Sequence, residues 1–211
     1  MRHVFSKHYF DYSELEVWGT RRRPVFGDVV RALKSRGVQT IFDVGAAFGH
    51  FVQFADSRGF TASGSDLSDN AVKVARERLG VTLHAGSLSD LDLSSQFDAV
   101  VSLDTFYYVA DPRAELEAIR RILKPNGVLL LRLRNCHRSE PAAEHLWGFT
   151  PESITRVLEV AGWKVEQIEP ASYSATSLRY AQAFVVGLNR LLRPIGVPVL
   201  THNFSIIARV P

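Results

Sequence analysis

Apolar positions along the chain alternate between two kinds of segment. Short runs in which most residues are apolar read as strands, and longer segments with apolar residues three and four apart read as helices. The first clear helix begins at Pro24 and places Phe26, Val29, Val30 and Leu33 on one face, with Gly37 beyond its end. Ile41, Phe42 and Val44 form a short central strand, and Phe51, Val52, Phe54 and Ala55 form the helix after it, stopped at Gly59. TASGSD, residues 61 to 66, is a second strand, and Ser68 is the N-cap of a helix carrying Ala71, Val72, Ala75 and Leu79 before Gly80. VTLHA, residues 81 to 85, is a third strand, and Phe97 to Leu103 is a nearly continuous apolar run of the kind found in the middle of parallel sheets. A helix over 112 to 124 exposes Leu116, Ile119 and Leu123 on one face, and a turn at Pro125 to Gly127 leads into a fifth strand. Thr150 and Pro151 start a helix with Ile154, Val157, Leu158 and Ala161, stopped by Gly162. WKVEQIEP, residues 163 to 170, and NFSIIARV, residues 203 to 210, are the last two strands.

Strands that alternate with helices build an α/β fold with a mostly parallel sheet covered on both faces. At 211 residues the chain has room for one domain. It divides into an N-terminal cap (1–37), a core (38–170), an insertion (171–202) and the final strand (203–211). The insertion predicts a helix with a wide apolar stripe of Leu178, Phe184, Val185, Leu188, Leu191 and Leu192. That stripe could line a pocket as a lid, pack on the sheet, or meet a partner or the periphery of a membrane. Tyr9, Phe10, Tyr12 and Trp18 could form a facing wall.

Composition adds a few bounds. No apolar run approaches the ~18 residues that suggest a membrane helix. The start, MRHVFSKHYFDY, has no apolar stretch leading to a cleavage site, so the expected location is cytoplasmic. A net charge of +3 permits an anionic substrate without requiring nucleic acid. The arginines at 21 to 23 and at 132, 134 and 138 read as solubilising or flanking residues, with a phosphate-binding surface as the alternative. The single cysteine, Cys136, excludes an internal disulfide and a cysteine-based metal cluster, and no metal is expected.

The chemistry lies in IFDVGAAFGHFVQFA, residues 41 to 55, where a strand ends near Asp43 and passes through Gly45 and Gly49 into a helix. Glycines there let the backbone turn sharply and approach a ligand, beside the free N–H groups of a helix N-terminus. A dinucleotide fingerprint would need glycine at the third and sixth positions, which are Ala47 and His50. An acid, one spacer, Gly, three spacers and Gly instead resembles the first motif of the class I S-adenosylmethionine-dependent methyltransferases. GSDLS, LDTFYYVADP, LKPNG and FTPESITRVLEVAGWKV resemble further motifs of that family, and the likeness runs from about residue 38 to 170 and resumes at the last strand. The nearest likeness is to the small-molecule methyltransferases of the ubiquinone and natural-product type.

The resemblance implies a seven-stranded Rossmann-like sheet whose last strand is antiparallel, with a site at the carboxyl ends of the strands. It implies S-adenosyl-L-methionine as cofactor and S-adenosyl-L-homocysteine as product. Asp43, Gly45, Ala46, Ala47 and Gly49 would surround the methionine part, and Asp66, with Leu67 beside it, would accept the ribose hydroxyls. Ser87 and Leu88 occupy the adenine position, where the family commonly has Asp instead of Ser87; Asp90 is a candidate substitute. Leu103 would be an apolar neighbour of the cofactor.

Methyl transfer requires collinear nucleophile, methyl and sulfur, so positioning dominates and a base is needed mainly for a hydroxyl acceptor. The family often has a histidine where this chain has Tyr108, and a tyrosine with a pKa near ~10 is a poor base at neutral pH. His145 and His137, in the loop after the fifth strand, are the candidate bases, with plain solvent exposure as their alternative. Trp147 and Phe149 would wall an acceptor or pack beneath the next helix. The resulting expectation is methyl transfer to a small hydrophobic or aromatic molecule. An RNA methyltransferase is the alternative, without an NPPY-type tetrapeptide to support it, and a degenerate cofactor-binding protein is another.

Overall fold

The computed structural model describes residues 15–94, 96–138, 140–171 and 202–211. In chain order its elements are α1 (Leu15–Lys34), β1 (Thr40–Val44), α2 (His50–Asp56), β2 (Thr61–Asp66) and α3 (Asp69–Val74). They continue with β3 (Leu83–Ala85), β4 (Phe97–Leu103), α4 (Pro112–Ile122), β5 (Leu123–Arg134), α5 (Pro151–Val160), β6 (Lys164–Pro170) and β7 (Asn203–Arg209). The strands form one sheet in the order β3-β2-β1-β4-β5-β7-β6. β1 to β5 pair in parallel, and β7 lies antiparallel between β5 and β6. The fold class is the one expected.

The two-residue period of the central strands divides the core. Leu129, Leu131 and Leu133 of β5 join Phe42 and Val100 on one face, under Leu116 and Ile119 of α4 and Ile154 and Leu158 of α5. Val128 and Leu130 join Ile41, Ala99 and Val101 on the other, under Phe26, Val29 and Leu33 of α1 and Phe51 of α2. Apolar on both faces, these strands read as continuous hydrophobic runs, as buried parallel strands do.

The order of strand addition reverses between the parallel neighbours β1 and β4, so the loops at their carboxyl ends diverge and leave a crevice. At the opposite end Asp98 fastens the same two strands. Its carboxylate accepts the Gln39 and Thr40 N–H groups at 3.0 and 2.8 Å and pairs with Lys124 at 2.8 Å. Burial alone would raise its pKa, but the Lys124 contact and the backbone donors win and hold it at about 2.

Four boundaries differ from the sequence reading. The first helix runs through Pro24 rather than starting there, forgoing one backbone hydrogen bond while its apolar face covers the sheet. The third strand is shorter, pairing only Leu83 to Ala85 with β2. The helix after Ser68 ends in a π-helical turn, Ala75–Leu79, capped by Gly80 at φ 67°. The turn at Pro125 to Gly127 is a bulge inside β5, with Asn126 at φ 63° and the register shifting between Phe97 and Ala99. Segment 172–201, carrying most of the proposed lid, and Tyr9, Phe10 and Tyr12 lie outside the described residues, as does the Trp18 side chain. No helix among the described residues is long and apolar enough to cross a membrane.

Candidate active site

The loop from β1 to α2 is shaped by three left-handed residues, Gly45 at φ 75°, Ala47 at φ 50° and Gly49 at φ 78°. A Cβ at Gly45 would overlap Thr105 Cγ2, so a side chain there would force the Thr105 loop to shift. Thr105, at the exit of β4, also donates its hydroxyl to the Gly45 carbonyl at 3.3 Å, so the two loops bordering the crevice are joined. At Gly49 a Cβ would stand 2.6 Å from Val81 Cγ2. Ala47 holds the same hand without glycine's freedom, at a cost of roughly 1–2 kcal/mol.

Asp66, at the end of β2, compensates part of that cost. Its Oδ2 accepts the Ala47 N–H at 2.8 Å and its Oδ1 accepts the Ser68 N–H at 2.9 Å. Burial raises its pKa, and the Ser68 and Ala47 donors oppose the rise. Asp43 lies beneath the loop, 3% exposed, with Oδ1 lacking a hydrogen-bond partner. Burial, with Asp66 nearby, pushes its pKa up to about 8 against the opposing influence of Arg22.

The crevice is a cavity of about 330 Å³. Gly45, Ala47, Asp66, Leu67, Ser87, Leu88, Leu103, Tyr108 and His145 all line it. Asp43, Ala46 and Gly49 do not; they shape the loop from behind. His137 stands apart, on the surface, with Nε2 3.0 Å from Glu152 Oε2. The Ser87 hydroxyl is engaged by Ser89 at 2.9 Å, and Asp90 is exposed and outside the lining.

One wall is aromatic. The His145 ring stacks on Tyr107 with centroids 3.9 Å apart and meets Tyr108 edge-on at 5.0 Å. The loop bearing it is fixed because the Leu146 and Trp147 N–H groups both donate to the Tyr107 carbonyl. His145 Nδ1 accepts the Ala142 N–H at 3.3 Å, which places the neutral ring's proton on Nε2. Burial, then the Arg134 charge, lowers its pKa, so at neutral pH Nε2–H is a donor. Phe149 is buried against Phe106 in the core, and Trp147 donates its indole N–H to the Val109 carbonyl at 2.7 Å.

Several lining residues were not evident from the sequence. Asp104, at φ 62° just past β4, pairs with Arg22 of α1 at 2.9 Å and with Arg132 of β5. Arg134 lines the cavity beside them, as does Glu115 of α4. The arginine clusters were visible, but their convergence depends on strand pairing, and only the position of Asp104 at the end of an apolar strand hinted at it.

A glycine cradle that a Cβ would fill, a carboxylate at the end of the adjacent strand and an unpartnered buried acid beneath form the donor set that a nucleoside sulfonium amino acid requires. Residues 17–168 match the family model for the methyltransferase domain. The chain belongs to the class I S-adenosylmethionine-dependent methyltransferases. S-Adenosyl-L-methionine is its cofactor, and the cavity residues fit that group. Among curated relatives, the ubiquinone biosynthesis O-methyltransferase of Dinoroseobacter shibae is 28% identical over 66% of this chain and 67% of its own length. That of Xanthomonas oryzae pv. oryzae is 32% identical over 64% of this chain, and the match spans only 58% of that relative. The fold is shared with the Burkholderia thailandensis 1,6-didemethyltoxoflavin-N1-methyltransferase, solved with 1,6-didemethyltoxoflavin and S-adenosylhomocysteine. Its TM-score is 0.69 at 18% identity, covering 99% of this chain and 86% of that one. A possible histamine N-methyltransferase from Thermotoga maritima aligns with a TM-score of 0.68 at 19% identity, covering 99% of both chains.

Proposed function

We propose that this methyltransferase acts on a hydroxyl of a small aromatic molecule. The observation that carries this reading is the wall of Tyr107, Tyr108 and His145, which faces the same cavity as the glycine loop and Asp66. Flat rings stack on such a wall in offset or edge-on arrangements. The curated relatives named as ubiquinone biosynthesis O-methyltransferases support a hydroxyl acceptor.

In this reading Gly45, Ala46, Ala47 and Gly49 hold the methionine part of the cofactor with Asp43 beneath them, Asp66 and Leu67 hold the ribose, and Ser87, Leu88 and Leu103 border the adenine. When bound, the cofactor supplies a sulfonium methyl group for in-line displacement. The chain then has to place an acceptor oxygen on that line and favour its anionic form. Tyr107, Tyr108 and His145 orient the ring, and the His145 Nε2–H donates to the acceptor oxygen. The guanidinium of Arg134, with Arg22 and Arg132 behind it, makes that end of the cavity positive. The Tyr107 phenol itself stays neutral, because burial and then Asp104 raise its pKa by more than Arg22, Arg132 and Arg134 lower it. An acceptor phenol nearer to Arg134 and farther from Asp104 would ionise more readily, giving its proton to water before the transfer, so electrostatic stabilisation of the phenolate does the work otherwise left to a strong base. His137 has no part in the step.

The test is to incubate the purified chain with S-adenosylmethionine and a panel of catechols, monophenols, aromatic amines and a structured RNA, reading products by mass. A single methyl on an aromatic oxygen is the expected result. Transfer confined to amines or RNA would overturn the acceptor assignment.

A further inference from the structure

Among the acids that line the cavity, Glu115 is buried without a task, whereas Glu144 is exposed. Glu115, in the first turn of α4, lines the cavity together with Leu88 and Ile119, yet the residue is only 6% exposed. Its carboxyl group makes no hydrogen bond or ion pair among the described residues. Such a group is expensive to bury: desolvation, with Asp90 nearby, pushes its pKa up to about 7. A helix that only covered the sheet would place an apolar residue here, as α4 does at Leu116 and Ile119.

The position identifies what the carboxyl could meet. Asp66 ends β2, and β3 is the next strand outward, so a nucleoside whose ribose lies at Asp66 extends its base toward Ser87 and Leu88. At that end the Ser87 hydroxyl is occupied by Ser89, and Asp90 is outside the lining. α4 packs against the Leu88–Asp90 turn and brings Glu115 to the same wall. We propose that Glu115 reads the adenine edge of the cofactor by accepting a hydrogen bond from the exocyclic amino group. The inference rests on the cofactor assignment above. It gives the recognition of adenine to a helix carboxylate, where the end of β3 offers a serine hydroxyl already bonded to Ser89.

The experiment is calorimetry with S-adenosylhomocysteine and with S-inosylhomocysteine, which presents a carbonyl oxygen in place of the amino group. Measured at a pH above the Glu115 value of about 7, where the carboxylate is a charged acceptor, the wild-type chain should prefer the adenine form by roughly 10- to 100-fold. Glu115→Leu, which has no acceptor, should reduce the preference to within about threefold, and Glu115→Gln, whose amide can accept from the amino group or donate to the inosine carbonyl, should also narrow it. A wild-type chain without the preference, or a Glu115→Leu variant that keeps it, overturns the proposal. A fall in kcat at saturating cofactor with the preference intact would also overturn it, because the carboxyl would then face the acceptor. If Glu115→Leu does not fold, the near-isosteric Glu115→Gln decides alone: a narrowed preference supports the proposal and an unchanged one ends it. Failure of the wild-type chain to bind either thioether would instead count against the cofactor assignment.

Discussion

The Asp66 carboxylate accepts the Ala47 N–H at 2.8 Å, so the acid proposed to hold the ribose also holds the glycine loop. Removing it should therefore have two measurable effects. Asp66→Ala should weaken S-adenosylhomocysteine binding by about 2–4 kcal/mol through lost ribose contacts. It should also lower the unfolding free energy of the ligand-free chain by about 1–3 kcal/mol, because the Ala47 and Ser68 N–H groups lose their acceptors. Calorimetry and denaturant unfolding on the same variant separate the two effects. Lost affinity with unchanged stability would mean that water replaces the carboxylate in the loop.

Gly45 and Thr105 give a prediction with an internal control. Gly45→Ala combines a left-handed backbone at φ 75° with a Cβ that overlaps Thr105 Cγ2. The expected cost is about 1–2 kcal/mol for the backbone and a further ~1–3 kcal/mol for the overlap. Gly59→Ala is the control, because its φ is 88° but nothing lies within 4 Å of the added methyl. It should show the backbone part alone. Equal losses in the two variants, measured by urea unfolding, would show that the Thr105 loop yields without cost.

The sheet and the glycine loop were legible because they depend on local patterns: apolar runs, glycine spacing and capping residues such as Ser68 and Thr150, both of which accept the N–H three residues on. The cavity wall was less legible because it is assembled from distant positions. Asp104 and Arg22 are 82 residues apart, and their pairing needs α1 to lie across the end of β4. Glu115 is hidden in an amphipathic helix where an acid looks like part of the polar face. His137 and His145 are equivalent in sequence, both in the loop after β5. They separate only because the Tyr107 carbonyl captures the Leu146 and Trp147 N–H groups and carries His145 inward, while Glu152 holds His137 outside.

The tautomer of His145 distinguishes a donor from a base. With Nδ1 accepting from Ala142, His145→Ala should reduce kcat/KM by roughly tenfold, the loss of about one neutral hydrogen bond and its stacking. Removal of a general base would reduce it by ~10²–10⁴-fold. His137→Ala should leave turnover unchanged, since its partner is the exposed Glu152. A loss in the larger range for His145→Ala, with a new dependence on pH, would restore the base assignment.

Asp43 makes the stability of the ligand-free chain depend on pH in an unusual direction. Its folded pKa of about 8 exceeds the ordinary value of 3.8, so between those values the folded chain holds a proton that the unfolded chain has released. Stability therefore falls as pH rises through that window and levels off above about 8. Glu115, raised to about 7, acts with the same sign over a narrower window. Asp98 acts oppositely, its contribution lost only as pH falls toward about 2, so the two trends do not overlap. Asp43→Asn should flatten most of the slope between pH 5 and 8 in thermal unfolding, leaving the same-sign contributions of Glu115 and Asp66 and the opposite one of His145, and a slope unchanged in Asp43→Asn would place the titrating group elsewhere.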